Sequence, residues 1–192
     1  GKLTLSDGNL QTGGLLILAS GALLTAAEGT NITGDATFQR EITGSAGWRL
    51  LSFPVAGGTA ADLADDTAVQ GVPGGTSPGF APNVLTYAAA GQFAAPASMS
   101  DAISTGFAVY FFNNTDAGST PLPLTLDVTG TPVFTEQTAD LNTAQTFNGS
   151  YFTLLGNPYA ASYDLGQLAP VTGDGFKDNV SFWNGSTYTP VD

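Results

Sequence analysis

The chain has 192 residues, of which 42% are apolar, with 25 Gly, 11 Pro and a formal net charge of −12. Only 10% of the residues are charged, against a usual ~25%, so the acidity reflects 4 basic residues more than a surplus of carboxylates. Such a surface repels phosphate backbones and anionic lipid. With neither His nor Cys, the chain cannot form a Ser-His-Asp or Cys-His catalytic set, a disulfide, or a thiolate or imidazole metal site.

The first 45 residues predict short extended strands at 3–5, 15–19, 22–26, 31–33 and 37–42. Turns at Asp7-Gly8, Gly13-Gly14, Gly21, Glu28-Gly29 and Gly34-Asp35 separate them. Residues 15–19 are apolar at both parities, which predicts a strand covered on both faces, by the rest of the chain or by a neighbouring subunit. The run is far short of the ~20 residues that span a bilayer. Residues 14–27 have a faint likeness to a signal-peptide apolar region. Only Lys2 is basic before them and Asp7 intervenes, so the segment reads as mature chain, with any export signal upstream.

Residues 46–56 predict a strand that ends at Pro54, a residue that lacks a ladder donor and so belongs at a strand end or sheet rim. Residues 59–69 predict a short helix with Thr59 as N-cap and Asp62 at the third helical position. A Gly/Pro-rich loop over 71–82 follows, and then strands at 84–88, 106–112, 122–128, 132–135, 151–155 and 180–183. Tyr188 lies beyond a turn at Asn184-Gly185. The expected fold is all-β: a β-sandwich or jelly-roll-like domain over 46–192, preceded by an N-terminal strand segment over 1–45, with at most one short helix.

One phrase occurs twice. Leu50-Leu51-Ser52-Phe53-Pro54-Val55-Ala56 is matched by Leu154-Leu155-Gly156-Asn157-Pro158-Tyr159-Ala160, and Asp-Leu follows each copy (Asp62-Leu63, Asp164-Leu165). The flanking segments are too dissimilar for a duplication. The phrases read as two strand exits at the rim of one scaffold.

Little in the chain resembles reaction chemistry. Gly75-Thr76-Ser77-Pro78-Gly79 fits the spacing of a nucleophile elbow. The residue after the serine is proline, which has no N–H to offer an oxyanion, and no base is available. Asp62, Asp65 and Asp66 read as a solvated helix face near its N-terminus. Asp174-Gly175 with Asp178 and Asn179 lacks the full spacing of a calcium loop. Tyr110, Phe111 and Phe112, with Trp183 and Tyr188, are candidates for a sugar-binding face, although aromatics at strand positions are usually core. Lys2 and Lys177 offer little for amide crosslinks. The glycosylation candidates are the sequons at Asn31, Asn113, Asn148, Asn179 and Asn184, together with Thr67 in Asp66-Thr67-Ala68. No enzyme activity and no cofactor is expected.

The order Gly47-Trp48-Arg49-Leu50-Leu51-Ser52-Phe53-Pro54, Gly106-Phe107-Ala108-Val109-Tyr110, Leu124 to Pro132, Leu155-Gly156-Asn157-Pro158-Tyr159 and Val180 to Gly185 resembles the β-rich surface modules of Bacteroidota-type secreted proteins. These modules often precede a type IX secretion sorting domain. The Asp-Thr-small site at Thr67 is similar to the O-glycosylation site of that group. The resemblance implies export and an adhesin, surface-layer or fibre role, and supplies no catalytic residues.

The expected function is a structural subunit of an extracellular or cell-surface assembly, a homopolymeric filament built head to tail by β-strand complementation. Its apolar N-terminal segment would dock into the next copy through Leu3, Leu5, Leu16 and Leu18. The partners are then copies of the chain and covalent glycans, with no nucleic acid and no membrane insertion. The alternative is a carbohydrate-binding or adhesive module of a larger secreted protein, with Trp183 and Tyr188 as glycan contacts.

Overall fold

The computed structural model describes residues 1–88, 92–103, 106–134, 145–147, 150–152, 154–163, 180–183 and 187–191. The chain is all-β, as the turn-rich, Thr- and Val-rich sequence dictates. The first six strands are β1 (Lys2–Leu5), β2 (Asn9–Gln11), β3 (Leu16–Leu18), β4 (Leu23–Ala26), β5 (Asn31–Thr33) and β6 (Ala36–Ile42). They pair in parallel, each with the strand three further on: Lys2 lies opposite Leu23, Asn9 opposite Asn31, and Leu16 opposite Ala36. Offsets of 21, 22 and 20 residues on three successive strands define two stacked coils of a parallel β-solenoid. The corners fall at glycines with positive φ, among them Gly8 and Gly29 at 75° and 79°, a region closed to most side chains.

The second coil also carries an antiparallel neighbour. Its last strand, β6, also pairs antiparallel with β11 (Leu124–Gly130), giving a mixed sheet in the order β11-β6-β3. A second sheet contains β7 (Gly47–Leu51), β8 (Val84–Ala88), β9 (Gln92–Ala94) and β10 (Phe107–Phe111), in the order β7-β10-β8-β9. The inward positions of both sheets (Phe38, Ile42, Leu124, Leu126 and Val128; Val84, Phe107, Val109 and Phe111) belong to one continuous core. This is the period-two burial that a sandwich requires. A short 3-10 helix at Ala60–Leu63 adds Ala60 and Leu63 to that core. A second 3-10 turn occupies Asp116–Gly118.

The hairpin β12 (Gln145–Phe147) with β13 (Ser150–Phe152) is also antiparallel. Residues Gly1–Ala161 form one compact unit, so the expected division between 1–45 and 46–192 does not fall at the edge of a unit. The physical reason is β6, which is shared between the solenoid and the β11 sheet. A second unit, Ser162–Asp192, contains the antiparallel pair β14 (Val180–Trp183) and β15 (Tyr188–Val191).

Three local expectations change. The run 15–19 is not covered on both faces within the chain: Leu16 and Leu18 face inward, while Ile17 is 62% and Leu15 86% exposed. The helix expected over 59–69 is confined to Ala60–Leu63. Residues Thr67, Ala68, Val69 and Gln70 are all buried, and four consecutive buried positions cannot lie on one helix face. The strand expected over 132–135 reduces to one bridge between Pro132 and Val55, consistent with a residue that cannot donate to a ladder; residue 135 is outside the described part.

Candidate functional site

The four leucines expected to dock a neighbour lie together in the first coil. Leu3, Leu5, Leu16 and Leu18 belong to the first coil, in register with Leu24, Ala26, Ala36 and Phe38 of the second. Leu10 sits above Ile32 in the same way. Burial is graded from one coil to the next. Leu24, Ile32, Ala36 and Phe38 are buried, whereas Leu5, Leu10 and Leu16 are only partly so and Leu3 is 38% exposed. Leu18 alone of the four is fully buried. The upper rim of the apolar interior therefore faces outward.

The backbone of the first coil is bonded on one side. β1 pairs only with β4, β2 only with β5 and β3 only with β6 among the described residues. The Gly1 and Leu5 carbonyls accept bonds from Leu23 and Ala27 of the second coil. Alternate residues of a parallel strand bond to opposite sides, so the N–H and C=O groups of Lys2 and Thr4 face outward.

Side chains tie the two coils together. Thr4 and Thr25 share a hydrogen bond of 3.1 Å between hydroxyls. The Thr12 hydroxyl donates to the carbonyls of Asp35 at 2.6 Å and Thr33 at 3.2 Å. A Cβ on Gly34 would meet that hydroxyl oxygen at 2.8 Å, so glycine is required there on contact as well as on its φ of +85°.

The solenoid is marked in the sequence by a signal that strand-by-strand reading misses. Leu3-Thr4, Asp7-Gly8 and Asn9-Leu10 recur as Leu24-Thr25, Glu28-Gly29 and Asn31-Ile32. A repeat of this length is the mark of a coil that cannot bury its apolar face without a neighbour above or below.

Elsewhere three carboxylates are engaged in holding the fold. Asp62 accepts bonds from the Thr59 N–H at 2.7 Å and hydroxyl at 2.9 Å, as the expected N-cap implies. Asp66 accepts the N–H of Asp127 on β11 at 2.6 Å; burial is the main cause that raises its pKa above the ordinary aspartate value. Asp101 accepts from the Ser98 hydroxyl and the Ala97 N–H, both at 2.7 Å, and the Ser98 bond leads in holding its pKa down. Among the described residues no three carboxylates gather as a metal site. Ser77 sits in a turn, where its carbonyl accepts from Gly71 and Phe80.

Of the glycosylation candidates, Asn31 and Asn113 are exposed. Thr67 is corrected: it is only 3% exposed and its hydroxyl is buried without a hydrogen-bond partner, so it is closed to a transferase in the folded chain. Asn148, Asn179 and Asn184 lie outside the described residues, as do Asp174, Asp178 and Lys177. The aromatic run splits by strand parity. Phe111 is in the core, while Tyr110 and Phe112 lie on the opposite face, with rings 5.0 Å apart and Trp48 5.6 Å from Tyr110. Trp183 and Tyr188 are cross-strand partners in the β14–β15 hairpin.

The two proline phrases meet. The Ser52 hydroxyl of the first donates to the Asn157 carbonyl of the second at 2.8 Å. The second copy is not itself a strand over its described residues: Asn157 accepts the Tyr159 N–H and donates to the Ala161 carbonyl, which folds it into a turn.

Fold and site together define an all-β scaffold that includes two stacked solenoid coils. No protein-family model matches the chain, and no curated protein or solved structure is significantly similar to it.

Proposed function

We propose that the chain is a non-catalytic structural subunit of an extracellular, cell-surface assembly: a homopolymeric filament joined by β-strand complementation. The observation that carries this reading is the one-sided bonding of β1, β2 and β3 among the described residues, above a partly exposed row of leucines. An added strand gains main-chain hydrogen bonds for affinity and alternate side-chain pockets for register. A head-to-tail contact of that kind propagates into an open filament unless its rotation closes into a ring. The surface-module resemblance supports export, and exposed Asn31 and Asn113 leave room for glycans. Electron microscopy and sedimentation of the purified chain test it. Filaments or higher oligomers are expected, and deletion of residues 1–20 should abolish them. A chain that remains monomeric at high concentration refutes the reading.

A glycan-binding module of a larger secreted protein is the second reading, favoured by the opposition of Trp183 and Tyr188. It requires saturable glycan binding by a monomer, lost in Trp183→Ala or Tyr188→Ala.

A further inference from the structure

We infer that the outward face of the β7-β10-β8-β9 sheet is a binding platform for an uncharged polysaccharide, whose sugar rings stack on Trp48, Tyr110, Phe112, Tyr87 and Phe93. This goes beyond the filament reading and does not depend on it. The site is also separate from the Trp183–Tyr188 pair of the second reading.

Strand parity builds the face. Phe107, Val109 and Phe111 of β10 and Val84 of β8 belong to the core, so Ala108, Tyr110 and Phe112 point the other way. The register sets Trp48 opposite Tyr110, and Leu50 and Leu85 opposite Ala108. Tyr87 has the parity of Leu85 and lies opposite Phe93, so both rings share this side. The rings form two clusters. Tyr110 meets Trp48 at 5.6 Å and Phe112 at 5.0 Å, and Tyr87 meets Phe93 at 5.3 Å, all edge to face. Such contacts hold the rings in fixed orientations. Trp48 is 38% and Phe93 37% exposed, on the two outer strands of the sheet. Residues 154–156 bound the far end, where a Cβ on Gly106 would meet the Gly156 nitrogen at 3.0 Å.

Charge and area select the occupant. Arg49 is the only charged residue on these four strands. It has the opposite parity to Trp48 and donates to the carbonyls of Trp48 and Ser45. No charged residue occurs from 67 to 100, a stretch that includes β8 and β9. A cationic partner therefore finds no counter-charge on the face, and an anionic one is repelled by the net charge of −12. Four strands about 4.8 Å apart and at most five residues long give a flat area of about 300 Å². A stable protein contact takes about 800 Å² from each partner, so a second copy of the chain needs more surface than the face supplies.

Chemistry then narrows the partner to sugar. A peptide laid on a sheet face brings N–H and C=O groups that need partners, and the backbones of β10 and β8 are already paired on both sides. A sugar ring turns its C–H face to an aromatic ring and keeps its hydroxyls at the rim in water, so stacking strands few polar groups. Two ring clusters on one flat surface seat separate sugars of a single chain. Exposed Asn113, next after Phe112, adds an amide at the rim.

The test uses the full chain with three neutral polymers, hydroxyethyl cellulose, xylan and galactomannan, and dextran sulfate as the anionic control. In affinity electrophoresis at least one neutral polymer should retard the chain and dextran sulfate should not. Trp48→Ala and Phe93→Ala should each weaken that binding at least tenfold, whereas Ile17→Ser, at an exposed site on the solenoid, should leave it unchanged. Circular dichroism checks that each variant folds. The chain has 2 Trp, which gives a second readout that leaves the aromatic face intact. In Trp183→Phe the remaining indole is Trp48, and the retarding polymer should shift its emission to the blue; in Trp48→Phe the emission should not move. Retardation by none of the three neutral polymers, or retardation that both alanine variants keep, overturns the proposal. So does an emission shift that comes from Trp183 alone, which places the sugar on the hairpin. Loss of self-association in Trp48→Ala without any effect on polymer binding marks the face as a contact between copies and overturns it too. The filament reading is judged separately, by microscopy of the wild type, and its failure leaves these results standing.

Discussion

The side chain of Asn83 is buried and bridges two stretches of backbone, beginning with Gln70, whose N–H it accepts at 2.7 Å. Its amide donates to the carbonyls of Ala68 at 2.8 Å and Tyr110 at 3.3 Å. The loop 68–70 is thereby fastened to β10, an interior strand of the second sheet. A buried group stripped of its partners costs about 1–3 kcal/mol. Asn83→Ala leaves several such groups, so it should destabilise the chain by about 3 kcal/mol in urea unfolding. A loss below about 1 kcal/mol would mean that water replaces the amide.

Thr67 presents the opposite case. Its hydroxyl is buried and has no partner, so removing it forfeits no hydrogen bond while the shape is kept. Thr67→Val should raise stability by about 1 kcal/mol, seen as a higher urea midpoint at unchanged slope. An unchanged or lower midpoint would argue that the hydroxyl holds a water.

Asp66 and Asp101 titrate in opposite senses. The folded pKa of Asp66 is raised, chiefly by burial. The folded chain therefore holds its proton more tightly than the unfolded one, and the stabilisation this provides is complete below the unfolded pKa and lost as pH rises through the folded value. Asp66→Asn keeps an acceptor for Asp127 without the charge. It should match or exceed the wild type at neutral pH, with the difference closing as the solution is acidified. Asp101 has a lowered pKa, led by its bond from Ser98. Its contribution is present above the unfolded pKa and lost as pH falls through the folded one, so Asp101→Asn should be less stable than the wild type at neutral pH, with the difference closing as the solution is acidified. Thermal unfolding from pH 3 to 7 checks both signs.

Thr12 is the tie between coils that a single atom can cut. Thr12→Val removes the bonds to Thr33 and Asp35 at a cost of about 1–2 kcal/mol. Amide exchange should then speed up in residues 2–18 ahead of the sandwich. Uniform acceleration throughout the chain would show that the coils do not open separately.

The sequence discloses some of this and hides the rest for physical reasons. Thr59 and Asp62 are legible because capping is local chemistry. The strands 37–42 and 84–88 are legible because their flanking turns and apolar positions agree. The parity of residues 15–19 misleads: exposed Ile17 looks like a core residue until the solenoid shows which side is outside. The β2 strand is too short and polar to read alone, and becomes visible only when Asn9-Leu10 is set over Asn31-Ile32. Asn83 gives no signal, because its three partners are brought to it by tertiary structure. Leu3, Leu5, Leu16 and Leu18 stand out in the sequence by their apolarity, but the coil that holds them does not, since parallel pairing across some twenty residues leaves no mark in local periodicity.

The stacked coils also have a mechanical consequence. β1 is held to the chain through β4, in a ladder of four residue pairs. A tensile load applied at Gly1 and directed along the solenoid axis would act on these bonds in sequence, at low force, whereas the antiparallel β6–β11 ladder of seven pairs lies deeper in the path. Under such a load the first coil would peel before the sandwich deforms and release a short tether, much as a seam opens to spare the cloth.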